Sequence, residues 1–397
     1  MSDIVESTGP AEGGSRPGDG ADHLDHVRPR GVAGTAGRGS TGGRGSTGGR
    51  GSTGGRGGTA RGPRPRHLSW SGLGLAVPGI ALTAVSPTVL PAPGWVCFLA
   101  FAAGLVVAYA GVARLGRGAF GGSFDLMFWL CLVWLVVLVL AALLAPVLPL
   151  GEYRDIAKTI EAPAMAPPAL FSEHPLGTNN FGLDLLARIV YGARASLLVS
   201  IGAVAIGMVV GGAIGILAGF FRRLTDTVVG VFTNSLLAVP PLILLIALGT
   251  VLEPNLRNIA IALSLLALPS MIRMARAGTL TFAQREFVLA AKAMGASRWR
   301  VMVRELLPNV LLPLASYGMV IVSVLIVAEA SLSFLGLGIQ PPDPSWGNMI
   351  AEGEGNAFQD HPHIVLVPGV TLFLTVFAFN LIGEKARKRW DPRQAKL

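Results

Sequence analysis

The residues best suited to chemistry in this chain are three arginines, Arg298, Arg300 and Arg304, in the segment LAAKAMGASRWRVMVRELLPN from Leu289 to Asn309. A guanidinium forms paired hydrogen bonds with a carboxylate, so these side chains are suited to binding an acidic surface. The segment lies between long uncharged stretches, which indicates a basic loop outside a membrane. The sequence therefore predicts docking of a protein partner here, with an ordinary positively charged loop as the alternative.

Catalytic and metal-binding patterns are absent from the sequence. There is no GxxxxGK[ST] loop, so the chain does not itself bind ATP in that manner, and no HExxH or GxSxG motif occurs. His361 and His363 flank Pro362 and suggest a transition-metal clamp, but such a turn is more often solvent-exposed. Cys97 and Cys131 are isolated in apolar stretches, as packing residues are. We expect no catalytic residue, cofactor or metal in this chain.

The basic loop is flanked by apolar segments of membrane-spanning length. Hydrophobic residues make up 51% of the 397 residues and charged residues 14%, against about a quarter charged in soluble domains. Because about 20 apolar residues of helix cross the hydrocarbon core, the sequence predicts an all-α integral membrane protein. The uncharged runs are 126–151, 195–221, 227–252, 258–272, 306–328 and 364–383.

Two segments extend or precede these six runs. The run 258–272 is short for one crossing, so its helix is predicted to continue through Arg273 and Arg276, whose long side chains can reach the membrane interface. Residues 68–113 are apolar enough for an extra N-terminal transmembrane hairpin.

The predicted organisation is a disordered tail at 1–66, the extra hairpin at 68–113, a first core helix at 126–150, an extracytoplasmic loop at 151–194, a transmembrane domain at 195–383 with a loop at 277–305, and a cytoplasmic tail at 384–397.

The distribution of Lys and Arg predicts the side on which each loop lies. With a cytoplasmic N-terminus and eight crossings, the cytoplasmic segments hold 27 of the 32 Lys and Arg residues. The outer loop 329–363 contains acids but no Lys or Arg. A multi-pass protein of the inner membrane is therefore predicted, with both termini in the cytoplasm.

The N-terminal tail contains RGSTGG three times in tandem, from Arg38 to Gly55. A Gly-, Ser- and Arg-rich composition buries little apolar surface, which predicts disorder. Such tails can bind nucleic acid or anionic lipid, but this one has no aromatic residue to stack on bases. We therefore expect a solvated tail that helps to fix topology.

Small residues at helical spacing mark one of the runs. Gly207, Gly211, Gly215 and Gly219 stand four apart, which gives one helix face a smooth surface for close helix packing. Packing within the subunit is the favoured interpretation, and a subunit interface is the alternative.

No residue able to couple transport to an ion gradient lies within the six runs, which contain no Asp, Glu, Lys, Arg or His. A proton- or sodium-coupled transporter usually places an ionisable group at mid-bilayer. Energy for transport is therefore predicted to reach the chain from outside, through the basic loop.

The basic loop is predicted to fold as two short helices. Residues 287–294 favour a helix, Gly295 suits its end, and Ser297 can cap a second short helix that continues through Arg304. Pro308 is then predicted to begin the next span. Two short helices joined at a glycine form a compact protrusion that can enter a groove on a soluble partner.

Five motifs occur in one order along the chain: HPLGTNNFGLDLLARIVYGARASL from His174, AGFFRRLTD from Ala218, REFVLAAKAMGASRWRVMVRELLPN from Arg285, EASLSFLGLGIQPPDPSWGNMI from Glu329 and LTVFAFNLIGEKARKRWDP from Leu374. In this order they resemble the inner-membrane permease subunits of ATP-binding-cassette (ABC) importers, in the dipeptide and oligopeptide branch. The resemblance covers about residues 172–393. It implies a six-helix type I ABC importer permease core that imports short peptides or, alternatively, nickel, chelated metal or another small solute.

The motif at Arg285 resembles the coupling helix of this family, a cytoplasmic segment that fits a cleft in an ATPase subunit. By this resemblance the ATPase-coupling residues are Arg285, Glu286, Leu289, Ala290, Ala291, Gly295, Ala296, Ser297, Arg298 and Arg300. The implied partners are a second homologous permease, two ABC ATPase subunits that bind Mg-ATP, an extracytoplasmic substrate-binding protein, the peptide substrate and membrane lipid, without nucleic acid.

Four positions depart from the pattern of that family. Leu289 stands where the loop usually has Glu, and Leu183 where Arg is common. Asn179 and Asn234 stand where Asp is common. These changes lower the charge near the expected translocation region and leave the substrate preference open.

Overall fold

The computed structural model describes residues 75–78, 94–120, 124–169 and 172–390. This part of the chain is helical, and its extended pairing is limited to one isolated bridge between Thr178 and Asp184. The helices are α1 (Gly94–Phe120), α2 (Leu126–Leu144), α3 (Leu185–Phe221), α4 (Arg223–Ala238), α5 (Pro241–Val251), α6 (Leu256–Phe282), α7 (Glu286–Ala293), α8 (Arg298–Phe334), α9 (Trp346–Glu352), α10 (Asn356–Asp360) and α11 (His363–Trp390). The all-helical fold class is confirmed.

Five of these helices, α2, α3, α6, α8 and α11, are long and apolar enough to cross a membrane, and the bent pair α4 and α5 makes a sixth if it counts as one span. This set agrees with the six predicted runs. Helix α1 covers the second half of the predicted hairpin at 68–113 and continues to Phe120. Most of the first half of that hairpin, and all of the tail at 1–66, lie outside the described residues.

Side-chain contacts define the directions of the helices. Helix α2 runs antiparallel to α11, since Asp125 pairs with Lys385 at one end and Trp134 Nε1 donates to Thr375 Oγ1 at 3.1 Å further along. Helices α3 and α6 run parallel to each other. The bundle therefore has two ends. We call the end with residues 222–226, 283–300 and 384–390 the basic end, and the end with residues 145–184, 252–255 and 335–362 the acidic end.

A glycine seam joins α3 to α6. A β-carbon built on each glycine of the seam would meet an atom of α6 at a short distance: 3.1 Å at Gly207 (Ala267), 2.9 Å at Gly211 (Met271), 2.5 Å at Gly215 (Ile272) and 2.8 Å at Gly219 (Thr279). Because the seam is filled by the chain's own helix, these glycines serve packing within the subunit. The backbones approach so closely that no larger residue fits at Gly215.

The run 227–252, predicted as one crossing, is broken into two helices that meet at 86°. Val239 is extended because a residue that precedes proline disfavours the helical conformation. Pro241 then occupies the first turn of α5, where its fixed φ is compatible with a helix. The adjacent prolines Pro240 and Pro241 therefore account for the break.

Helix limits based on charge were too narrow at the acidic end. Helix α3 begins at Leu185, inside the predicted loop 151–194, because Asp184 caps it by accepting from Ala187 N at 2.9 Å. Helix α8 extends to Phe334 and contains Glu329, which was predicted to lie in the outer loop. Helix α6 does continue through Arg273 and Arg276 to Phe282, as predicted.

Candidate functional site

The protrusion at the basic end, residues 285–300, is the candidate site, and we call it the knob. Helix α7 forms its first arm and ends in a Schellman motif, in which Ala296 N donates to Ala291 O and Gly295 N donates to Lys292 O, both at 3.0 Å. Gly295 has φ 82°, a left-handed conformation that favours glycine. The predicted turn at Gly295 is therefore present.

The second arm of the knob is the start of α8. Ser297 caps it by accepting from Arg300 N at 3.3 Å, as its position predicted. This arm is not a separate short helix, however. It continues through a π-helical stretch, Val301–Leu306, and past Pro308 to Phe334 as one element. Proline is tolerated in the first turn of the segment after Leu306, so Pro308 does not interrupt α8.

The knob exposes most of the residues predicted to contact an ATPase. Ala291 is buried and Ala296 half-buried against the chain itself, so neither is freely available to a partner. The exposed members are Arg285, Glu286, Leu289, Ala290, Gly295, Ser297, Arg298 and Arg300. The structure thus brings the predicted residues together on one short hairpin of helices.

Large apolar side chains on the knob face solvent, and the sequence prediction omitted most of them. Met294 is 82% exposed, Trp299 69% and Leu289 54%. Met, aromatic residues and Arg are enriched in protein interfaces, so an exposed apolar surface of this kind is suited to contact with another protein. Only Leu289 was among the predicted residues. Met294 directly before Gly295, and Trp299 between two arginines, were the sequence signal for the others.

The knob is fastened to the bundle through its inner face. Val288 and Val301 are fully buried, and Lys292 Nζ lies 5.6 Å from the centre of the Phe220 ring at the end of α3. A cation over an aromatic face is attracted by the ring quadrupole. A force on the exposed face would therefore reach α3 and α8 directly.

Two arginines of α6 bind α4 near the basic end. Arg276 forms a two-pronged pair with Asp226, and Arg273 donates to Asn234 Oδ1 at 3.2 Å. These two contacts attach α4 to α6. Helix α4 is amphipathic and makes few other contacts with the bundle. Asn234, one of the departures from the family pattern, is thus an acceptor for a guanidinium.

A buried polar cluster lies at the acidic end. The buried Arg188 of α3 donates to Glu352 of α9 at 2.5 Å, and Asn179 Nδ2 donates to the other Glu352 oxygen at 2.8 Å. Asn180 also donates to the Glu352 backbone carbonyl at 2.9 Å. Charge counting had assigned Arg188 to an exposed loop. The structure instead makes it the link between α3 and α9.

Glu329 is fully buried in α8 toward the acidic end of the bundle. Its two carboxyl oxygens accept hydrogen bonds from Ser196 of α3 and Ser333 of α8, both at 2.7 Å. A buried carboxyl needs such partners, because an unsatisfied one is costly. Glu329 thus bonds α8 to α3 at the end of the helix opposite the knob.

Removing Arg188 is expected to destabilise the protein strongly. In Arg188→Met the Glu352 carboxylate keeps Asn179 but loses its cation, and removal of one partner of a buried pair costs about 3–5 kcal/mol. The unfolding midpoint in detergent measures the effect. Arg194→Met is the matched control on the same helix, since its side chain is exposed. Adding Glu352→Gln to Arg188→Met should restore part of the loss, and equal midpoints for all variants would contradict this account.

A second anchored segment at the acidic end is the loop that begins at Glu152. Glu152 Oε1 accepts from Tyr153 N, Arg154 N and Asp155 N at 3.1–3.2 Å, and Lys158 pairs with its other oxygen at 3.3 Å. The Asp155 backbone hydrogen bond, followed by those of Arg154 and Lys158, lowers the pKa of the Glu152 carboxyl. The loop fixes Tyr153, whose ring stacks on Tyr191 at 3.7 Å between centroids.

This carboxyl makes stability depend on pH in a defined direction. Because the folded-state pKa of Glu152 is lowered, its stabilisation is present above the unfolded-state pKa of about 4.3 and is lost as pH falls through the folded-state value. Glu152→Gln should therefore lower the unfolding midpoint at pH 7, with the gap to wild type closing below about pH 4. Glu161→Gln is the control, because within the described residues that carboxylate makes no hydrogen bond or ion pair. A gap that stays constant with pH would contradict the assignment.

The histidines of the described ranges and Cys131 lie apart from the knob. Among the described residues no group of three or more His, Cys, Asp or Glu side chains could hold a metal ion. His361 and His363 have ring centroids 6.0 Å apart at 88°. Cys131 is a free, buried thiol in α2.

The bundle and its knob define a multi-pass helical membrane protein with an exposed basic and apolar protrusion at one end. Residues 211–396 match the family model described as "Binding-protein-dependent transport system inner membrane component", and relatives that align over most of their length agree with it. The chain belongs to this family of membrane transport components.

Three relatives show how similar the family members are. A peptide transport system permease protein of Brucella suis is 38% identical over 262 residues, which is 66% of this chain and 86% of that protein. The di/tripeptide transport system permease protein DppC of Pseudomonas aeruginosa is 36% identical over 277 residues, covering 70% and 88%. The glutathione transport system permease protein GsiD of Pectobacterium atrosepticum is 34% identical over 242 residues, covering 61% and 78%.

Among solved structures, a chain of the inward-facing methionine ABC transporter MetNI aligns with 52% of this chain and 97% of its own length. The identity is 19% and the TM-score 0.44. The helix arrangement described above rests on this chain's own contacts.

Proposed function

We propose that this chain is the permease subunit of an ABC importer that carries short peptides across the cytoplasmic membrane, with ATP hydrolysed by partner subunits. The observation that carries the proposal is the knob, which presents Met294 and Trp299 beside Arg298 and Arg300 at the basic end of a transport-family bundle. No residue of this chain acts as a catalyst in the proposal. The Mg-ATP is bound by the partners.

The proposed complex has two ATPase subunits, one on this knob and one on the knob of a second homologous permease. The basic end faces the cytoplasm and both termini lie there, as the excess of Lys and Arg on that side supports. An extracytoplasmic substrate-binding protein delivers peptide to the acidic end. The translocation path then lies between the two permeases, so this chain forms half of it.

Helix α8 is proposed to transmit the force. Its 37 residues form one element from the knob to Phe334, a length of about 55 Å at 1.5 Å per residue. Near the far end Glu329 binds Ser196 of α3. Movement of the knob by an ATPase would therefore displace the acidic end in the same step, and the bundle would switch between outward and inward openings as a rigid body.

The names of the relatives support short peptides as the substrates of this chain. The Brucella suis and Pseudomonas aeruginosa relatives carry peptide or di/tripeptide in their names, and the Pectobacterium atrosepticum relative carries glutathione. Nickel or a chelated metal is the alternative inferred from the sequence motifs.

Stimulation of ATPase activity in the reconstituted complex tests this function. With the binding protein present, di- and tripeptides should raise the hydrolysis rate and drive ATP-dependent uptake into liposomes. A nickel chelate used at the same concentration should do neither. Stimulation by the chelate alone would replace peptide with metal as the substrate, and uptake by this chain without ATP would overturn the ABC mechanism itself.

A further inference from the structure

A cavity of about 570 Å³ opens at the acidic end of the bundle. Its walls come from the start of α3, the turn between α5 and α6, and the segment 339–344. Tyr153 and Tyr191 form one wall as a stacked pair, with ring planes 8° apart. The volume is within the range of small-molecule sites.

One positively charged side chain in this cavity has no hydrogen-bond or ion-pair partner among the described residues. The other cations near it are paired: Arg154 with Asp343 at 3.4 Å, Lys158 with Glu152 at 3.3 Å and Arg188 with Glu352 at 2.5 Å.

Arg194 lines the cavity and, within the described residues, forms no hydrogen bond or ion pair. Arg257 at the same end is likewise without a partner in the described ranges, but it does not line the cavity. Arg194 is therefore available to an anion that enters the cavity.

The cavity also offers a negative charge. Asp343 lines it, and its pair with Arg154 joins two side chains that are each more than half exposed. Exposed pairs of this kind are weak, so Asp343 can exchange its partner for an ammonium group. A cation and an anion in one cavity match the two charged termini of a short peptide, and Leu198 and Ile259 supply apolar wall for its side chains.

We propose that this cavity is an entry subsite that binds a short peptide before translocation, with Arg194 holding its C-terminal carboxylate and Asp343 its N-terminal ammonium. The inference rests on the proposed peptide import. A guanidinium binds a carboxylate through charge-assisted hydrogen bonds. Arg194 is therefore expected to contribute more than Asp343 to the affinity for the peptide. The subsite would select for a free carboxylate at the peptide terminus.

The test uses the complete transporter in nanodiscs without its binding protein, with tri-alanine and tri-alanine amide as probes in saturation-transfer NMR. Tri-alanine should bind, and Arg194→Gln should weaken its binding roughly 10-fold to 100-fold, as expected when a charged hydrogen bond is lost. Arg257→Gln, the matched control, should leave binding unchanged. The amide should bind weakly and show no response to Arg194→Gln.

Two results would overturn the proposal: equal binding of the acid and the amide, or no effect of Arg194→Gln on peptide binding. In the second case, a separate assay with the binding protein added would show whether Arg194→Gln weakens capture of that protein instead. Such weakening would make the cavity a docking contact for an acidic side chain of that protein. ATP-dependent uptake by the wild-type complex separates this failure from failure of the proposed function, because peptide uptake can persist when the subsite is disproved.

Discussion

Replacing Met294 with glutamate should cause the ATPase subunits to separate from the purified complex. Met294 is 82% exposed at the tip of the knob, so an ATPase docked there as proposed would cover it, and a buried glutamate charge would oppose that contact. Trp299→Ala should act similarly. At an interface hot spot the loss is about 2 kcal/mol or more, which is roughly 30-fold in affinity. Recovery of ATPase with the tagged permease in mild detergent, followed over a dilution series, measures the loss.

Two comparisons separate docking from folding in this experiment. The unfolding midpoint of each variant should stay near that of wild type, because both side chains are exposed. Ile160→Glu is the matched control, since Ile160 is 80% exposed but lies at the acidic end. Equal ATPase recovery from all variants would show that the knob is not the docking surface.

Replacing Gly215 with leucine should prevent the bundle from assembling. The β-carbon alone would lie 2.5 Å from the Ile272 carbonyl oxygen and 2.7 Å from Ala275 Cβ, so α3 and α6 would have to separate. Overpacking of this kind costs about 3 kcal/mol or more when backbone must move. We expect a large loss of monodisperse protein and a lower unfolding midpoint in the fraction that remains.

The glycines of α3 provide their own controls. A β-carbon at Gly202 meets nothing within 4 Å, so Gly202→Leu should be tolerated. At Gly207 the nearest atom is 3.1 Å away, so Gly207→Ala should cost less than Gly215→Ala. Similar stability for Gly202→Leu and Gly215→Leu would refute close packing of α3 on α6.

The sequence contained enough information to predict the knob. Helix-forming residues, Gly295 and Ser297 act through local backbone preferences, and these do not depend on the rest of the fold. The continuation of α6 through Arg273 and Arg276 was predictable for a similar reason, since long basic side chains extend away from an apolar stretch. The adjacent prolines Pro240 and Pro241 were an equally local signal for the break between α4 and α5.

The acidic end could not be predicted in the same way, because its ionisable side chains are paired or hydrogen-bonded with residues far away in sequence. Arg188 is paired with Glu352, which lies 164 positions further along the chain, and Glu329 with Ser196, 133 positions away. Counting charge treats each of them as a reason to end a helix. Long-range hydrogen bonding instead allows α3 and α8 to carry these groups inside the bundle.

The docking of an ATPase on the knob is tested most directly by a photo-crosslinking amino acid placed at Met294 in the complete transporter. We expect a crosslink to the ATPase subunit, with a yield that changes between ATP-bound and nucleotide-free states. The same amino acid at Ile160 should give no ATPase crosslink. Capture of lipid alone at Met294, with intact ATPase present in the complex, would contradict docking of the ATPase on the knob.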